Sequence, residues 1–511
     1  MQIKLIIWDL DDTLWAGTLA DGDKVCLNAY RAEMVRKLNQ CGVVSAICSK
    51  NDPEAAKTML VELELFNDFV FPRISFEPKA AIVKQMIEDM QLRPVNVLFV
   101  DDNIHNLEEA RYLLPELNVV NSSQPACDEL LAKILEDNKH VAKSRVEEYR
   151  MLERRVADRQ RQPISNEDFL RSCDIHVAVV HMTDNIQFSD RIEELINRSN
   201  QMNYTKSRVE KGSIVDLMAT GGANYGFSVF VWDKYGYHGL VGFAVSEHGI
   251  RMSHFVFSCR IMDMGIENWL LHYIVEFYRK KSGNIDVSHI SVVPRNVDWI
   301  REKSFRDPDV RAMIWKKEKE KSETDIALRV MSKCASGGLA HYTGLCNRVD
   351  HDGMGRVFSV SSFLNDDYQK QGFPSMLVYA AYSDYDENAW EAINAAHRFE
   401  ECVVKFCDFI CATNKKILII LTPQDLPPEK QSAIRRAGQA RMTYCNDLWR
   451  KMAGIYDEIS LLEVTDIAEK DEVIDNYHYA VPLLKKLGER IRLWFDREES
   501  QHASQPILRL I

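Results

Sequence analysis

The fold is decided by the stretch IKLIIWDLDDTL, residues 3–14, in which an apolar run leads directly into acidic residues. The apolar run that begins at Ile3 is typical of a strand buried in a parallel sheet. Asp9 and Asp11 follow it, and open α/β sheets bind ligands at the carboxyl ends of their strands. Two carboxylates one residue apart repel each other unless a cation offsets their charge. The stretch therefore predicts a sheet edge that holds a hard cation such as Mg²⁺, although a polar turn after a strand is the alternative.

Three later segments extend this pattern in a fixed order. A second apolar run ends in Ser49, and Lys79 stands just before a helical stretch. A third run, residues 97–100, ends in Asp101 and Asp102. This order of strand and acids, strand and serine, lysine, and strand and acids resembles the motif set of the haloacid dehalogenase (HAD) superfamily. The resemblance implies a phosphoryl-transfer enzyme.

The resemblance also implies a role for each polar residue. Asp9 would attack phosphorus, and Asp11 would act as general acid and base. Ser49 and Lys79 would hold the phosphate oxygens and offset their charge. The Mg²⁺ ligands would be Asp9, the main-chain carbonyl of Asp11, and Asp101 or Asp102. The neighbouring substrate-binding residues would be Thr13, Lys50 and Asn51.

The composition is typical of a soluble globular protein, with 511 residues, 46% hydrophobic and 27% charged. The length suggests about three domains. No run approaches the ~20 apolar residues that span a bilayer, and the N-terminus leads into the first strand without room for a signal peptide, so a cytoplasmic location is expected. The net charge of −12 argues against a nucleic-acid-binding surface.

The twelve cysteines include no CxxC pair, as expected of reduced residues in a cytosolic chain. Cys402, Cys407 and Cys411 fall on one predicted helix. A metal site there lacks a histidine or a second cysteine cluster to complete it. Most cysteines are therefore interpreted as core residues, with Cys259 and Cys334 set apart by their surroundings.

The chain divides into four predicted segments. Residues 1–125 have the pattern of a doubly wound α/β sheet, and about thirty residues separate Thr13 from the second strand, too few for a large cap domain, so the site should be open. Residues 126–164 are charged and helical, as in a solvated linker. Residues 165–324 fit an α+β acyltransferase-like domain, and residues 325–511 a third α/β unit. Strands in the last two segments are predicted at 175–180, 226–232, 239–245, 251–260, 326–331, 376–381, 416–421 and 459–464.

Residues 1 to about 300 resemble the FkbH-like family, HAD subfamily IIIC, which fuses a HAD domain to a GNAT-like domain. The resemblance is carried by residues 9–17, 47–52, 78–79, 99–103, 198–208 and 257–267. Such proteins are associated with loading a glyceryl unit from 1,3-bisphosphoglycerate onto an acyl carrier protein. The resemblance implies that Cys259 carries the acyl group as a thioester, with Arg260 beside it to bind phosphate or favour the thiolate. An ordinary buried strand cysteine is the alternative.

A polar cluster in the second domain is the candidate binding site for a phosphate or carboxylate group. Its members are Arg198, Asn200, Gln201, Asn203, Thr205 and Arg208. A helix C-terminus followed by a polar loop is the alternative. Two departures from the family allow a different substrate, namely the short loop after Gly17 and the segment Asn103–Asn106.

Residues 326–511 lie outside that resemblance and carry three segments in the order of an SGNH-type esterase or acyltransferase. The first predicted strand of this region leads to Cys334 at the place of the nucleophile, with Ser332 and Ser336 as alternatives. Ser383 stands where such a fold has an oxyanion asparagine. Cys334 in place of a serine and Ser383 in place of an asparagine leave two possibilities for this region. It is either a thiol-based enzyme or a retained fold that docks a partner.

The third segment supplies the pair that would activate the nucleophile. Asp475 and His478 match an Asp-x-x-His pattern in which the histidine deprotonates the nucleophile and the aspartate holds its tautomer. Together the segments predict a Mg²⁺-dependent α/β enzyme that loads a phosphorylated three-carbon acyl donor through Cys259, removes phosphate at Asp9, and delivers the product to a carrier protein or another acceptor. The alternatives are a HAD phosphatase that acts on a small phosphoester and a non-catalytic assembly protein.

Overall fold

A computed structural model of the chain describes most of its length in two compact units. The units are Met1–Ile175 with Trp232–His238, and His176–Val231 with Gly239–Ile511. The described residues are 3–19, 24–141, 143–161, 164–219, 224–247, 249–281, 283–319, 326–351, 358–364, 372–384, 395–424, 426–427, 430, 439–469, 471–475 and 478–503. No helix within these ranges has both the length and the apolar character needed to cross a bilayer.

The first unit is built on a five-stranded parallel sheet with helices on both faces. Its strands are β1 (Leu5–Trp8), β2 (Trp15–Ala16), β3 (Cys26–Leu27), β4 (Val44–Ser49), β5 (Val70–Ile74), β6 (Val97–Asp101) and β7 (Asn118–Asn121). Its helices are α1 (Ala29–Gln40), α2 (Pro53–Glu62), α3 (Lys79–Asp89), α4 (Ile104–Leu113), α5 (Pro125–Asn138), α6 (Val146–Arg161) and α7 (Asn166–Ser172). The strand order is β5-β4-β1-β6-β7, and β2 and β3 form a separate two-stranded ribbon.

The strand order places a ligand site in this sheet. From β1 the chain builds outward through β4 and β5, and it then returns to the other side of β1 to form β6 and β7. The direction reverses between β1 and β6, and such a switch point opens a crevice at the carboxyl ends of the strands. Both faces are covered, since Leu5 and Ile7 enter one apolar core and Ile6 and Trp8 the other. This explains the unbroken apolar run of β1.

The segment predicted to be a solvated linker, residues 126–164, instead packs against this sheet. Helix α5 buries Cys127 and Leu131 in the core that contains Ile6 and Trp8. Helix α6 buries Leu152 in the opposite core, with Val156 packed against it. Charged residues outnumber the apolar ones in α6, and the linker prediction was based on this charge. The helical period nevertheless places the few apolar residues on one side, where they form a narrow buried stripe.

The second region has an α+β arrangement, as predicted. Its elements are β8 (Ile175–His181), α8 (Ser189–Arg198), α9 (Ser213–Ala219), β9 (Asn224–Asp233), β10 (Gly236–Glu247), β11 (Arg251–Phe257), α10 (Ile266–Lys280), β12 (Ile300–Glu302) and α11 (Pro308–Lys319). The sheet order is β11-β10-β9-β8-β12, and β10 and β11 are antiparallel. The strand predicted over 251–260 ends at Phe257, so Cys259 lies beyond it in a 3₁₀ turn, Cys259–Ile261.

The third region is a second parallel sheet. Its elements are β13 (Leu328–Met331), α12 (Ser336–Tyr342), β14 (Val349–His351), β15 (Met376–Ala380), α13 (Ala395–Ala412), β16 (Lys416–Leu421), α14 (Gln439–Ala453), β17 (Ile459–Glu463) and α15 (Val481–Ala503). The order is β14-β13-β15-β16-β17 with every neighbouring pair parallel. The direction of winding reverses at β13 and β15, so this sheet also has a switch point.

Within the second unit, helices α12 and α15 pack against α9 from the preceding region. Asp216 on α9 accepts hydrogen bonds from Tyr342 Oη at 2.7 Å and Lys485 Nζ at 2.9 Å. Gly338 lies directly against Ala219, because a Cβ at Gly338 would stand 3.2 Å from the Ala219 Cβ. The second and third regions therefore share a packed and hydrogen-bonded contact.

Replacing Gly488 with Ala is expected to lower the free energy of unfolding by about 1–2 kcal/mol. A Cβ at Gly488 would lie 2.6 Å from the Tyr342 Cβ and 2.7 Å from its carbonyl carbon, so α12 and α15 would have to separate. Overpacking costs roughly 1–3 kcal/mol, and contacts this close to backbone atoms belong to its upper part, roughly 2–3 kcal/mol; a gain of about 1 kcal/mol in helix propensity offsets part of that cost. Denaturant unfolding measures the difference. Gly372→Ala is the control, because no atom of the described residues lies within 4 Å of its Cβ position. An unchanged or raised stability of Gly488→Ala would contradict the close helix contact.

Candidate active site

The predicted catalytic acids meet at the switch point of the first sheet. Asp9 follows β1 directly, and its amide donates a hydrogen bond of 2.9 Å to the Val100 carbonyl. Asp101 is the last residue of β6, and Ser49 is the last residue of β4. Because β4, β1 and β6 are adjacent and parallel, the three side chains lie along one edge. Asp9, Asp101 and Ser49 are all buried.

Lys79 joins two of these acids. It is the first residue of α3, and Pro78 precedes it in an extended conformation that ends the incoming loop. Lys79 Nζ lies 2.6 Å from Asp9 Oδ1 and 2.7 Å from Asp101 Oδ2, and the lysine is only 2% exposed. A buried ammonium group thus bridges two buried carboxylates, which satisfies its charge but leaves the site one negative charge in excess.

The electrostatic effects at this edge are strong. Burial, opposed by Lys79 and reinforced by Asp101, raises the pKa of Asp9 to about 6. Burial and the charge of Asp101 also raise the pKa of Asp102. Burial disfavours the ammonium form of Lys79, but the two carboxylates outweigh it and raise the pKa of that amine. The site therefore favours an additional positive charge, because that charge would relieve the crowded carboxylates.

The donor set fits a hard divalent cation. Asp9, Asp101 and Asp102 each offer a carboxylate oxygen, and these oxygens lie within 4.8 Å of one another. Carboxylate oxygens are the ligands that Mg²⁺ prefers. Asp11 was predicted to contribute its main-chain carbonyl, and its carboxylate lies outside this group: Oδ1 accepts from Trp15 Nε1 at 2.8 Å and Oδ2 from Asn51 Nδ2 at 2.9 Å.

The remaining residues predicted for this site occupy different surroundings. Asn51 is fully buried and also donates to Ser49 Oγ at 3.4 Å, so it links the serine to Asp11. Lys50 is exposed. Thr13 is buried, and its hydroxyl lies 2.9 Å from the Ser122 hydroxyl. The structure therefore gives Thr13 a supporting position in the loop after β1, whereas the prediction made it a substrate contact.

Two supporting residues were not identified from the sequence. Asn106 Nδ2 donates to Asp101 Oδ1 at 3.0 Å, and the Asn103 amide donates to the same oxygen at 2.8 Å. Arg31 on α1 donates to the Thr13 carbonyl at 2.7 Å and so anchors the loop after β1. An asparagine in the first turn of the helix after the acidic pair was the available signal for Asn106, whereas Arg31 lay far from any motif.

The predicted acyl-carrying cysteine occupies a partly exposed turn. Cys259 follows Ser258, whose amide donates to the Val241 carbonyl at 2.8 Å. Arg260 Nε donates to Ser258 Oγ at 3.1 Å, so the guanidinium is held at the turn. Burial, together with the charges of Glu267 and Cys259, raises the pKa of Tyr204 to about 12.

The predicted polar cluster over 198–208 is brought together, but largely bonds to itself. Asn203 is buried and donates to the Ser207 carbonyl at 2.9 Å, and Thr205 Oγ1 donates to Asn203 Oδ1 at 3.2 Å. Arg208 donates to Asn200 Oδ1 at 2.6 Å. Of the two remaining members of the cluster, Arg198 pairs with Glu194 at 2.7 Å, and Gln201 is exposed. These contacts show how the helix end and the polar loop hold each other, and the binding role of the cluster stays a prediction.

In the third region the predicted acid–base pair is formed. His478 Nδ1 lies 2.9 Å from Asp475 Oδ2, and the His478 amide donates to Asp475 Oδ1 at 2.9 Å. Despite burial, the neighbouring Cys334 thiol, together with Asp475, raises the pKa of His478. The fold therefore brings Cys334 close to Asp475 and His478, which lie about 140 residues further along the chain.

The two alternative serines are engaged elsewhere. Ser332 Oγ lies 2.6 Å from the Tyr382 hydroxyl, and Ser336 Oγ accepts from the Ser332 amide at 2.7 Å. Both serines are fully buried. Ser383, the expected oxyanion residue, is buried with no hydrogen-bond partner for its Oγ among the described residues. The geometry therefore selects Cys334 among the three candidate nucleophiles.

The stability of the second unit is expected to fall as the pH rises from about 6.5 to about 9. Burial opposes a charge on His478, but the hydrogen bonds and charges of Asp475 and Cys334 outweigh it and raise the pKa of His478 from 6.5 to about 9. A raised folded-state pKa contributes its full stability below pH 6.5, and that contribution is lost as the pH passes through about 9. Denaturant unfolding of the parent and Asp475→Asn proteins across this range measures the effect, and a pH-independent difference between them would contradict it.

Comparisons with known proteins add a partial likeness. No protein-family model and no curated protein matches the chain. Among solved structures, the N-terminal part of BF1531 from Bacteroides fragilis, which contains a phosphatase domain complexed with Mg, is 20% identical with a TM-score of 0.24. That match covers 28% of this chain and 41% of the other, so this chain spans less than half of that protein's length.

Two further structures are similar to a comparable part of the chain. A HAD-superfamily hydrolase from Ehrlichia chaffeensis is 13% identical, covering 26% of this chain and 98% of its own, with a TM-score of 0.22. A 3-deoxy-D-manno-octulosonate 8-phosphate phosphatase from Moraxella catarrhalis, in complex with magnesium, phosphate and KDO, is 16% identical, covering 27% and 89%, with a TM-score of 0.21. Such values do not assign a function. What the structure itself shows is an α/β domain with a parallel sheet and carboxylates clustered at its edge.

Proposed function

We propose that the first domain is a Mg²⁺-dependent phosphohydrolase or phosphotransferase that acts on a small phosphoester, with Asp9 as its nucleophile. The observation that carries this proposal is the buried group of Asp9, Lys79 and Asp101, in which one ammonium lies within 2.7 Å of two carboxylates. Burying several charges is costly, and such groups with shifted pKa values concentrate where a reaction uses them. Their position at a switch point supports the same conclusion.

The proposed reaction proceeds in two displacements. Asp9 attacks phosphorus, the bond from phosphorus to the leaving oxygen breaks, and Asp11 donates a proton to that oxygen. A water molecule then gives its proton to Asp11 and attacks the phosphoaspartate, which releases phosphate and regenerates Asp9. Mg²⁺ held by the three clustered carboxylates supplies electrostatic stabilisation of the transferring phosphoryl group when it is bound.

The neighbouring residues orient these groups. Asn51 and Trp15 each donate to one oxygen of the Asp11 carboxylate, so its direction is fixed from two sides. Lys79 and Ser49 would hold phosphoryl oxygens. Asn51 Oδ1 is buried and has no hydrogen-bond partner among the described residues, so it is positioned to accept from a protonated phosphate or a substrate hydroxyl.

The first test is metal-dependent phosphate release. The full chain, freed of metal with EDTA, is assayed against a set of small phosphoesters and acyl phosphates, with and without added Mg²⁺. We expect release only when Mg²⁺ is present, and recovery after Mg²⁺ is returned to the EDTA-treated protein. Equal turnover with and without metal would contradict the proposal.

A second candidate function is acyl loading through Cys259. The observation that favours it is the position of this thiol, partly exposed in a turn beyond β11, where the neighbouring Arg260 is bonded to Ser258. A thiolate attacks an acyl phosphate readily, and a guanidinium suits the departing phosphate. In this proposal, one phosphorylated three-carbon acyl donor would load the thiol and lose its second phosphate at Asp9. The acceptor would be a carrier protein or a hydroxyl compound in the cytoplasm.

Intact-protein mass spectrometry separates these candidates. Incubation with 1,3-bisphosphoglycerate should give a hydroxylamine-labile adduct that is absent in Cys259→Ala. Phosphate release without an adduct would favour the phosphatase alone. Neither product, with Mg²⁺ present, would favour a non-catalytic assembly role.

A further inference from the structure

The third region contains a nucleophile turn that the phosphoryl site does not use. Cys334 lies three residues beyond β13, at the switch point between β13 and β15. Lys333 adopts φ = +44°, a left-handed conformation that non-glycine residues rarely adopt, and α12 begins at Ser336. Such a strained turn from strand to helix presents the residue at its apex above the sheet edge. The thiol is partly exposed, so a ligand can reach it.

A preorganised base faces this thiol. The Cys334 thiol is close enough to the His478 imidazole to contribute to its raised pKa. Its Nδ1 is engaged by Asp475 Oδ2 at 2.9 Å, which leaves Nε2 for the thiol. The turn that carries the pair is closed by its own backbone, because the Ile474 amide donates to the His478 carbonyl at 3.0 Å. The aspartate therefore fixes the orientation of the base before any substrate binds.

We infer that Cys334, His478 and Asp475 form a second active site, which accepts an acyl group from an acyl thioester and transfers it to water or a hydroxyl acceptor. The argument for a thioester is chemical. Exchange of an acyl group between two sulfur atoms is close to neutral in energy, whereas taking it from an ordinary oxygen ester onto sulfur is uphill. A cysteine at the position of the nucleophile therefore suits a thioester donor.

The steps balance without an added oxidant or reductant. Cys334 Sγ bonds to the carbonyl carbon while the proton of the thiol–imidazole pair is held on His478. The bond from that carbon to the donor sulfur breaks, and the His478 proton passes to the departing thiolate. In the second half-reaction His478 takes a proton from water or a hydroxyl, the new oxygen–carbon bond forms, and the Cys334–carbonyl bond breaks. The proton on His478 returns to the Cys334 thiolate.

The test uses short-chain acyl thioesters of N-acetylcysteamine with the full chain, in EDTA and without any phosphoester. Under these conditions the Asp9 site takes no part, so the result is independent of the proposed phosphoryl function. Peptide mass spectrometry should find a hydroxylamine-labile acyl group on Cys334. Release of free N-acetylcysteamine should fall at least about 100-fold in Cys334→Ser and in His478→Asn. The matched control is Cys411→Ser, which removes an exposed thiol elsewhere in the same region.

A measurement within the unmodified protein makes the test independent of how the variants fold. Acylation of Cys334 should be at least about tenfold faster than that of the exposed Cys346 and Cys411 in the same sample. Equal labelling of these three thiols, or unchanged labelling of Cys334 in a folded His478→Asn protein, would overturn the inference. So would the absence of any acyl group on Cys334 in the parent protein.

Discussion

Phosphate release is expected to fall by about 10⁴-fold or more when Asp9 is replaced by Asn. The amide has nearly the same shape as the carboxylate, so the loss would report the missing nucleophile. Asn at this position also removes one of the three clustered carboxylates, and Mg²⁺ should consequently bind more weakly. Phosphate release is measured under saturating substrate and over a range of Mg²⁺ concentrations, so that chemistry and metal affinity are separated.

The matched control is Asp137→Asn, which changes an exposed aspartate on α5 in the same domain. It should retain the parental rate, and circular dichroism should show that both variants are folded. Retention of turnover in Asp9→Asn would defeat the assignment of Asp9 as nucleophile, whatever the behaviour of the metal.

Replacing Lys79 with Met should destabilise the metal-free protein by about 3–5 kcal/mol, because it leaves two buried carboxylates without their counter-charge. Asp9 and Asp101 would then repel each other at close range, and one of them would tend to hold a proton. Added Mg²⁺ should stabilise this variant more than the parent, since the ion would supply the missing positive charge. Phosphate release should nevertheless stay low, as Lys79 no longer contacts the phosphoryl oxygens.

Denaturant unfolding with EDTA and with excess Mg²⁺ measures both effects. The control is Lys84→Met, an exposed lysine on the same helix α3, for which we expect a change within about 0.5 kcal/mol. If Lys79→Met were as stable as the control in EDTA, Lys79 would not be needed to neutralise the buried carboxylates of Asp9 and Asp101.

The site in the first sheet could be predicted because its residues are local to strand ends. An apolar run followed by Asp9 or Asp101 indicates both the strand and the edge on which the acid lies. The direction of a side chain at that edge is set by distant partners. Asp11 accepts from Asn51, 40 residues away, and Thr13 bonds to Ser122, 109 residues away, and no local pattern reports either pairing.

In the third region, too, the local sequence indicated the segment but not the partners of its side chains. The sequence left Cys334, Ser332 and Ser336 as candidate nucleophiles, because all three lie within one short segment. Two contacts distinguish these candidates. Tyr382 is hydrogen-bonded to the Ser332 hydroxyl, and His478 faces the Cys334 thiol. These contacts join segments that are roughly 50 and 140 residues apart, and no local pattern reports them. Helix α6 was misjudged for a related reason, because its few apolar residues matter only once a sheet is present to cover them.

The contact between α9 and the helices α12 and α15 has a consequence for how this chain can be divided. Asp216 ties both helices to the preceding region, and Gly338 and Ala219 leave no gap between them. The C-terminal third is therefore not a detachable module. Cutting the chain near residue 325 would expose apolar surface on both fragments. In the intact chain, the second and third regions should unfold together in a single cooperative transition.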